Sequence, residues 1–309
     1  MKLNKAPLAL AVLATLSSQA FADVTVYGKA NVTVQNSDEG AGSFTELKSN
    51  ASRFGLKGGE KLSDNGLEVI YKLEWQVDMT DAGDSSDDHI KARNQYVGLK
   101  GGFGEVVVGR NDTALKQSQG KIDQFNDLEG DLKNVFKGEN RMGNSVTYKT
   151  PNLSGFRVIA SYIADDAPDA EAGYSVAVTY GDSALKKQPI YASIATDSEV
   201  KGYDVTRATV QGRLGDVKLG AMYQTQDAVE GGKDADGFLV SAAYSIDNVT
   251  LKAQYQTMDF DNADEKAATS IGADYKLGKN TKLFAFYTKQ EKDANTDHDY
   301  LGLGIEYKF

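Results

Sequence analysis

Two histidines and two aspartate-rich stretches are the residues of this sequence whose chemistry could form a metal site. His89 and His298 are the only histidines, and the chain of 309 residues has no cysteine. Zinc sites take three or four protein ligands, drawn mainly from these two residue types, so the pair predicts no transition-metal site. The stretches 81–88 (DAGDSSDD) and 234–237 (DADG) are rich in carboxylates but lack the distal glutamate of a calcium loop. We therefore expect no metal and no cofactor, and weak calcium binding by these stretches stays open.

The chain that must position such residues has the pattern of β-strands. The last nine residues, LGLGIEYKF, alternate large apolar residues with small or charged ones. In a strand this alternation puts an apolar face back to back with a polar one, as in a soluble sandwich or a membrane barrel. The same two-residue period returns in GLEVIYKLEWQVD at 66–78 and in YSVAVTYG at 174–181.

About sixteen such segments follow one another, an even number that suits a closed barrel. Most are close to the roughly 9–11 residues with which a tilted strand crosses an outer membrane. Their predicted cores are 24–35, 52–58, 67–77, 90–99, 105–111, 144–149, 156–164, 174–180, 189–196, 203–213, 217–226, 238–245, 249–258, 268–276, 281–289 and 300–309.

The connections between these segments alternate between two kinds. Short ones built for turns lie at 101–104, 151–155, 214–216, 246–248 and 277–280. Longer acidic ones lie at 78–89, 165–173, 227–237, 259–267 and 290–299. A soluble sandwich has no reason to sort its loops in this way, whereas a barrel with tight periplasmic turns and long outer loops does.

Tyrosines give a further signal for a membrane barrel. Most of those on strands share the apolar face and fall near one of its ends, where aromatic residues with a polar tip form girdles at a membrane interface. They are Tyr71, Tyr148, Tyr162, Tyr180, Tyr223, Tyr244, Tyr255, Tyr275, Tyr287 and Tyr307.

Composition narrows the classes of protein. Residues 1–22 combine Lys2 and Lys5, an apolar run and the small-residue pattern AFA, so we expect a secretory signal peptide cleaved before Asp23. Its removal would move the formal net charge from −10 to −12. So acidic a chain is a poor candidate for binding nucleic acid. Without cysteine no disulfide can stabilise the exported protein, and a large hydrogen-bonded sheet must do so.

At this point the chain resembles a known family, the general-diffusion porins of the Gram-negative outer membrane. The resemblance covers the whole length and rests on VTVYGKANV near the signal, SRFGLKG at 52–58, RNQYVGLKGGFGEVVVGRN at 93–111 and NSVTYKTPNLSGF at 144–156. It implies an all-β fold in which residues 23–309 form a sixteen-stranded antiparallel transmembrane β-barrel. The third outer loop, about 112–143, would fold into the lumen and narrow it, although it lacks the Pro-Glu-Phe-Gly type of motif common in the family.

The resemblance also implies partners. Three copies would form a homotrimer in contact with outer-membrane lipid and lipopolysaccharide. Ions and small hydrophilic solutes would pass through each barrel. The terminal Phe309 resembles the signal that the barrel assembly machinery reads.

In the family, arginines on the barrel wall face acidic residues of the inward loop across a wet constriction. Matched motif by motif, Arg53, Arg93 and Arg141 stand where the wall arginines lie. Alternation independently turns Arg53 and Arg141 inward, because Phe54 and Val146 point outward, and it leaves Arg93 undecided. The acidic side of the constriction is expected from Asp112, Asp123, Asp127, Glu129 and Asp131.

The predicted function is that of a porin, a water-filled channel for passive diffusion of ions and small hydrophilic solutes, without enzymatic activity. A channel selective for one nutrient is the first alternative. An outer-membrane barrel enzyme, which would need a placed Ser, His and acid, and a secreted β-rich adhesin are more distant ones. The acidic composition indicates a cation preference, although charges far from the constriction are screened within about 8–10 Å.

Overall fold

The computed structural model describes residues 24–80, 89–165, 167, 171–293 and 296–309. The expected signal peptide at 1–22 and the carboxylates at 81–88 lie outside these residues. No helix among the described residues is long and apolar enough to cross a membrane. The strands are β1 (Thr25–Asp38), β2 (Ser43–Ser49), β3 (Arg53–Lys61), β4 (Glu68–Val77), β5 (Ile90–Gly101), β6 (Gly104–Asp112), β7 (Arg141–Lys149), β8 (Phe156–Ile163), β9 (Gly173–Gly181), β10 (Ile190–Val200), β11 (Tyr203–Leu214), β12 (Val217–Ala228), β13 (Ala235–Ile246), β14 (Val249–Phe260), β15 (Lys266–Lys276), β16 (Thr281–Asp293) and β17 (Thr296–Lys308).

These strands form one antiparallel sheet that closes on itself. Strand β1 pairs with β17 along one edge, from Lys29 opposite Lys308 to Asp38 opposite Asp299. Its other edge pairs with β2 and then with β3, so these two segments make up one strand of the barrel. The predicted sixteen-stranded antiparallel barrel is confirmed. Among the described strands, closure leaves no sheet edge exposed to lipid, where an unpaired backbone group would be costly.

The second barrel strand is longer than the sequence pattern predicts, because β2 lies outside the expected cores. Its two large apolar residues, Phe44 and Leu47, stand three positions apart and therefore break the two-residue period. Between β2 and β3 the backbone departs from strand geometry, with Ala51 at a φ of 49°.

The two faces of the strands meet different surroundings. On β17, Leu303 is 66% exposed on the outside of the barrel, whereas Glu306 is only 9% exposed. The same alternation of exposed and buried positions runs through β9, β11 and β13. A continuous apolar outer surface of this kind suits lipid, and the polar inner face suits water.

The connections at the two ends of the barrel differ from the expectation in their lengths. Several acidic stretches predicted as loops continue as strand, so that β16 reaches Asp293 and β17 begins at Thr296. At the opposite end the turn at 182–189 is longer than the two-residue turns at 215–216 and 247–248. The longest connection among the described residues, 113–140, joins β6 to β7 and holds the short helix α1 (Ala114–Ser118) and a 3₁₀ turn (Leu132–Asn134). We call residues 113–140 the inner segment.

Candidate functional site: a charged aperture

The inner segment is attached to the barrel wall at its start, in its middle and at its end. Thr113 caps α1 by accepting a hydrogen bond from the amide of Lys116 at 3.3 Å. The helix buries Ala114 and Leu115 against Ile159 of β8 and Ala177 of β9. Each of these apolar side chains is removed from water, which fixes the start of the segment against the wall.

Two further apolar clusters attach the middle of the segment to the other side of the barrel. Ile122, Leu132 and Phe136 pack among inward-facing residues of β12, β13 and β14, including Met222 and Leu239. Phe125, which is fully buried, packs among residues of β16 and β17. The segment therefore contacts both sides of the lumen.

Polar contacts complete the attachment. The carbonyl oxygen of Gly130 accepts hydrogen bonds from the side-chain amides of Gln254 at 2.9 Å and Gln256 at 3.1 Å. Arg207 of β11 is completely buried and donates to Glu139 Oε1 at 2.7 Å and to the carbonyl of Lys137 at 3.0 Å. A buried guanidinium whose donors are satisfied in this way holds its partners firmly, because leaving any of them unpaired would cost free energy.

Arg53 of β3 reaches the inner segment. Its Nη2 lies 2.7 Å from Oδ2 of Asp127, and Nζ of Lys29 lies 2.6 Å from the same oxygen. Although burial raises the pKa of Asp127, the charges of Arg53 and Lys29 outweigh it and lower that pKa to about 2. Asp127 thus stays ionised and bridges two basic side chains of the wall.

Arg93 of β5 faces the lumen because of a β-bulge. Ala92 lies opposite Trp75 and Gln95 opposite Leu73, so two residues of β5 stand against one residue of β4. The extra residue resets the alternation, which is why the parity of Arg93 is undecided in the sequence. Its Nε donates to Oε1 of Glu74 at 2.9 Å.

Arg141 of β7 lies beside a second bulge, between Met142 and Ser145. Strict alternation of the two faces therefore does not extend to Arg141. The contacts of its side chain show which way it points. Its Nη2 lies 3.0 Å from Oδ1 of Asp112, and its Nε donates to Oδ1 of Asn94 at 2.8 Å.

The five predicted acids divide into three groups. Asp112 is the last residue of β6 and belongs to the wall rather than to the loop, a correction that follows from the pairing of Asp112 with Arg141. Asp127 and Glu129 extend from the inner segment to the wall, where Glu129 contacts Lys48 and accepts a hydrogen bond from Gln35 Nε2 at 3.0 Å.

Asp123 and Asp131 stabilise the inner segment from within. Asp123 accepts hydrogen bonds from the backbone amides of Phe125 at 2.9 Å and Leu132 at 3.0 Å. Asp131, only 3% exposed, accepts one from the amide of Asp127 at 2.8 Å. Burial and the neighbouring charge of Asp131 raise the pKa of Asp123 to about 8. Both side chains are thus directed at backbone amides, which differs from the expectation that they face the wall arginines.

One cavity of about 580 Å³ separates the inner segment from the wall and is bordered by Arg53, Arg93 and Arg141 together with Asp127 and Glu129. We call it the charged aperture. Seven basic and five acidic side chains border it, an excess of two positive charges. Fixed charges of both signs across a narrow, wet passage orient dipolar solutes and set ion preference.

Sequence reasoning missed five of the charged side chains that border the aperture: Lys48, Lys116, Lys121, Lys133 and Glu139. It also missed Lys29, which contacts Asp127, and Glu74, which contacts Arg93. Lys29 and Glu74 could have been found, because each shares the inward parity of its strand with polar residues such as Asn31 and Gln76. Lys48 could not, since its strand lacks a clear two-residue period.

The other residues singled out in the sequence lie apart from the aperture. Within the described ranges no group of three histidine, aspartate or glutamate side chains could hold a metal ion. His298 Nδ1 lies 3.1 Å from the hydroxyl of Tyr300, which donates to Glu39. Phe309 exchanges backbone hydrogen bonds with Gly28 of β1, and its ring occupies the space that a side chain at Gly28 would need.

Comparison with known proteins adds a family and several relatives. Residues 9–295 match the family model described as Gram-negative porin. The major outer membrane protein P.IB of Neisseria sicca is 28% identical over 96% of this chain and 88% of its own length. The protein of the same name from Neisseria lactamica is 28% identical over 96% of this chain and 87% of its own length.

Solved structures share the fold. An anion-selective porin from Comamonas acidovorans superposes with a TM-score of 0.75 at 22% identity, covering 94% of this chain and all of that one. OmpF of Salmonella typhi, solved with daunomycin, gives a TM-score of 0.74 at 16% identity over 93% of this chain and 97% of its own.

Proposed function

Because this chain belongs to the Gram-negative porin family, it is an outer-membrane channel for passive diffusion, and we propose that the charged aperture decides which solutes pass. The channel function and the outer-membrane location predicted from the sequence are both confirmed by the family and its relatives. In our proposal Arg53, Arg93 and Arg141 form the basic side of the constriction. Asp127 and Glu129 form the acidic side, held in place by Asp123 and Asp131.

We infer that the channel prefers anions. The observation that carries this inference is the excess of two positive charges around the aperture. The acidic composition of the chain indicates the opposite preference, but charges beyond about 8–10 Å from a passing ion are screened at physiological salt. The structurally similar porin from Comamonas acidovorans, which is described as anion-selective, is consistent with the proposal.

The test is the reversal potential of purified, folded protein in a planar bilayer across a tenfold gradient of potassium chloride. We expect stepwise conductance and a reversal potential displaced toward that of chloride. A displacement toward the potassium potential would contradict the anion preference while leaving the channel intact. Folded protein without conductance would mean that the inner segment closes the lumen.

We also propose that three copies of the chain assemble. The support is a structural relative, OmpT of Vibrio cholerae, one structure of which is described as a trimer form. Sedimentation equilibrium in detergent should give three times the mass of the folded chain, and a monomer mass would contradict the proposal.

We propose that Phe309 is read by the barrel assembly machinery, since it directly follows the strand that closes the barrel and the residue is 53% exposed. Phe309→Ala should slow assembly in cells and leave spontaneous folding into detergent unchanged. An equal loss in both settings would make Phe309 a residue of stability alone.

Finally, we propose that the channel has no catalytic activity. The two histidines are far apart in the sequence, and His298 contacts a tyrosine rather than a serine. Substituting His89 and His298 together should leave any lipase or protease activity of the preparation unchanged, and its disappearance would favour a barrel enzyme.

A further inference from the structure

Two cavities open at the end of the barrel where the short turns lie, and their charges differ. One, of about 630 Å³, is bordered by Lys57, Lys61 and Lys100 and by three glutamates, so its charges balance. The other, of about 380 Å³, is bordered by Lys149 of β7, Arg157 of β8 and Lys187 of the turn at 182–189. Its only acidic residue is Asp182. We call this second cavity the basic cavity.

The carboxylate of Asp182 is engaged by its own turn. It accepts hydrogen bonds from the backbone amides of Ala184 at 2.9 Å, Lys186 at 2.9 Å and Lys187 at 3.0 Å. These three amides lower the pKa of Asp182. Because the backbone already satisfies this carboxylate, it is poorly placed to pair with the basic side chains as well.

Two of the three basic side chains are free to bind a ligand. Among the described residues, neither the Arg157 guanidinium nor the Lys187 ammonium makes a hydrogen bond or an ion pair, and both residues are exposed. The third, Lys149, forms an ion pair with Glu105, whose carboxylate lies 3.6 Å from the Lys149 ammonium. The basic cavity thus presents a planar guanidinium and two ammonium groups to one volume of water.

The inner segment borders the basic cavity through one residue of α1. Gln117 of α1 borders the cavity and donates to the carbonyl of Asp112 at 2.6 Å. Tyr191 of β10 donates to the carbonyl of Ser118 at 2.8 Å. Tyr191 thus uses its hydroxyl proton on the segment and Gln117 uses an amide proton on Asp112 of the wall, so recognition of an anion falls mainly to the basic groups.

Positive charge continues from the basic cavity to the aperture. Ser183 borders both the basic cavity and a small neighbouring one, whose charged side chains are Lys121 and Lys218. Lys121 in turn borders the charged aperture. The backbone amide of Lys121 donates to Oε1 of Gln211 at 3.0 Å, and the side-chain amide of Gln211 donates to Ser183. The turn and the inner segment are therefore joined through Gln211.

We propose that the basic cavity is a binding site for a small multivalent oxyanion of the phosphate or sulfate class. The anion would occupy this site while it passes through the channel. The inference rests on the proposed function as a channel. An arginine fork recognises the oxygens of such an anion in pairs, and the lysines add charge without fixed geometry. A volume of about 380 Å³ admits the anion together with water or a small organic group.

The first test measures single-channel chloride conductance while inorganic phosphate is added to both sides at constant ionic strength. In the wild type we expect saturable inhibition. The double variant Arg157→Gln/Lys187→Gln should raise the half-inhibiting phosphate concentration about tenfold, the effect of two partly screened charges. Lys100→Gln, which removes one charge from the balanced cavity at the same end of the barrel, should leave the half-inhibiting phosphate concentration unchanged.

Equal inhibition of the wild type and the double variant would overturn the site while the conductance itself upheld the channel. A second measurement decides the matter even for a preparation without conductance. Folded protein in octyl glucoside should broaden the phosphorus resonance of inorganic phosphate, and the double variant should not. Broadening that survives in the double variant would place phosphate elsewhere, and no broadening with wild type would overturn the proposal.

Discussion

Substitution of Asp127 by asparagine tests whether the fixed charges of the aperture set ion preference. Asp127 lies within 2.7 Å of both Lys29 and Arg53, and it is ionised because its pKa is about 2. Asp127→Asn keeps the shape of the side chain and removes one negative charge. The excess around the aperture would rise from two to three positive charges.

The size of the effect follows from Coulomb's law. A unit charge about 6 Å from a passing ion changes the energy of that ion by about 0.7 kcal/mol in water, which screening at physiological salt reduces to about 0.3 kcal/mol. Chloride is stabilised and potassium destabilised by the same amount. We therefore expect the chloride-to-potassium permeability ratio to rise about threefold.

The assay is the reversal potential in a tenfold potassium chloride gradient, with Asp261→Asn as the matched control. Asp261 is exposed in the connection between β14 and β15, far along the chain from the aperture residues, and its substitution changes the net charge equally. A threefold shift in Asp127→Asn with none in Asp261→Asn would support the reasoning. Equal shifts in the two variants, or none in either, would refute it.

Three further predictions concern the residues that hold the inner segment. Asp131→Asn, which replaces an acceptor for the Asp127 amide, should shift the permeability ratio in the same direction as Asp127→Asn but less, as measured by reversal potential. Arg207→Gln should leave the buried carboxylate of Glu139 without its positive partner and lower the free energy of unfolding by about 3–5 kcal/mol, as measured by denaturant titration. The double variant Arg207→Met/Glu139→Gln should recover most of that lost free energy. Because the pKa of Asp123 is raised to about 8, the native state holds a proton that the unfolded chain releases near pH 4. Local stability should therefore fall as the pH rises from about 4 to about 8. Hydrogen-exchange protection of the Leu132 amide should show this fall, and Asp123→Asn should abolish the pH dependence.

The barrel itself could be predicted because lipid enforces a strict rule on every strand. In the last nine residues, 301–309, each residue on the outer face is large and apolar and each on the inner face is small or charged, so the rule is visible there. The rule fails where the backbone departs from regular pairing. The bulge at Arg93 inserts one residue and turns its side chain to the lumen, a direction that counting along the strand leaves undecided.

The charged partners of the aperture follow a weaker rule. That Asp127 contacts Arg53, 74 residues away, depends on how the inner segment crosses the lumen, and no local pattern encodes that path. The acidic residues of the segment look alike in the sequence. The structure separates them by their partners, because Asp127 meets side chains of the wall whereas Asp123 meets backbone amides.

The strands against which the inner segment packs nevertheless carry a sequence signal of its position. Apolar side chains on the inner face of a water-filled lumen would be exposed to water. Met222, Leu239 and Met258 nevertheless lie on that face and are fully or almost fully buried. Their parity is opposite to that of the lipid-facing residues, so each marks a place where something other than water covers the wall. Because those contacts bury Ile122 and Leu132 of the inner segment, the carboxylates it carries are held at fixed distances from the wall. Ion preference should then follow the salt concentration and the protonation of these groups, without requiring the segment to move.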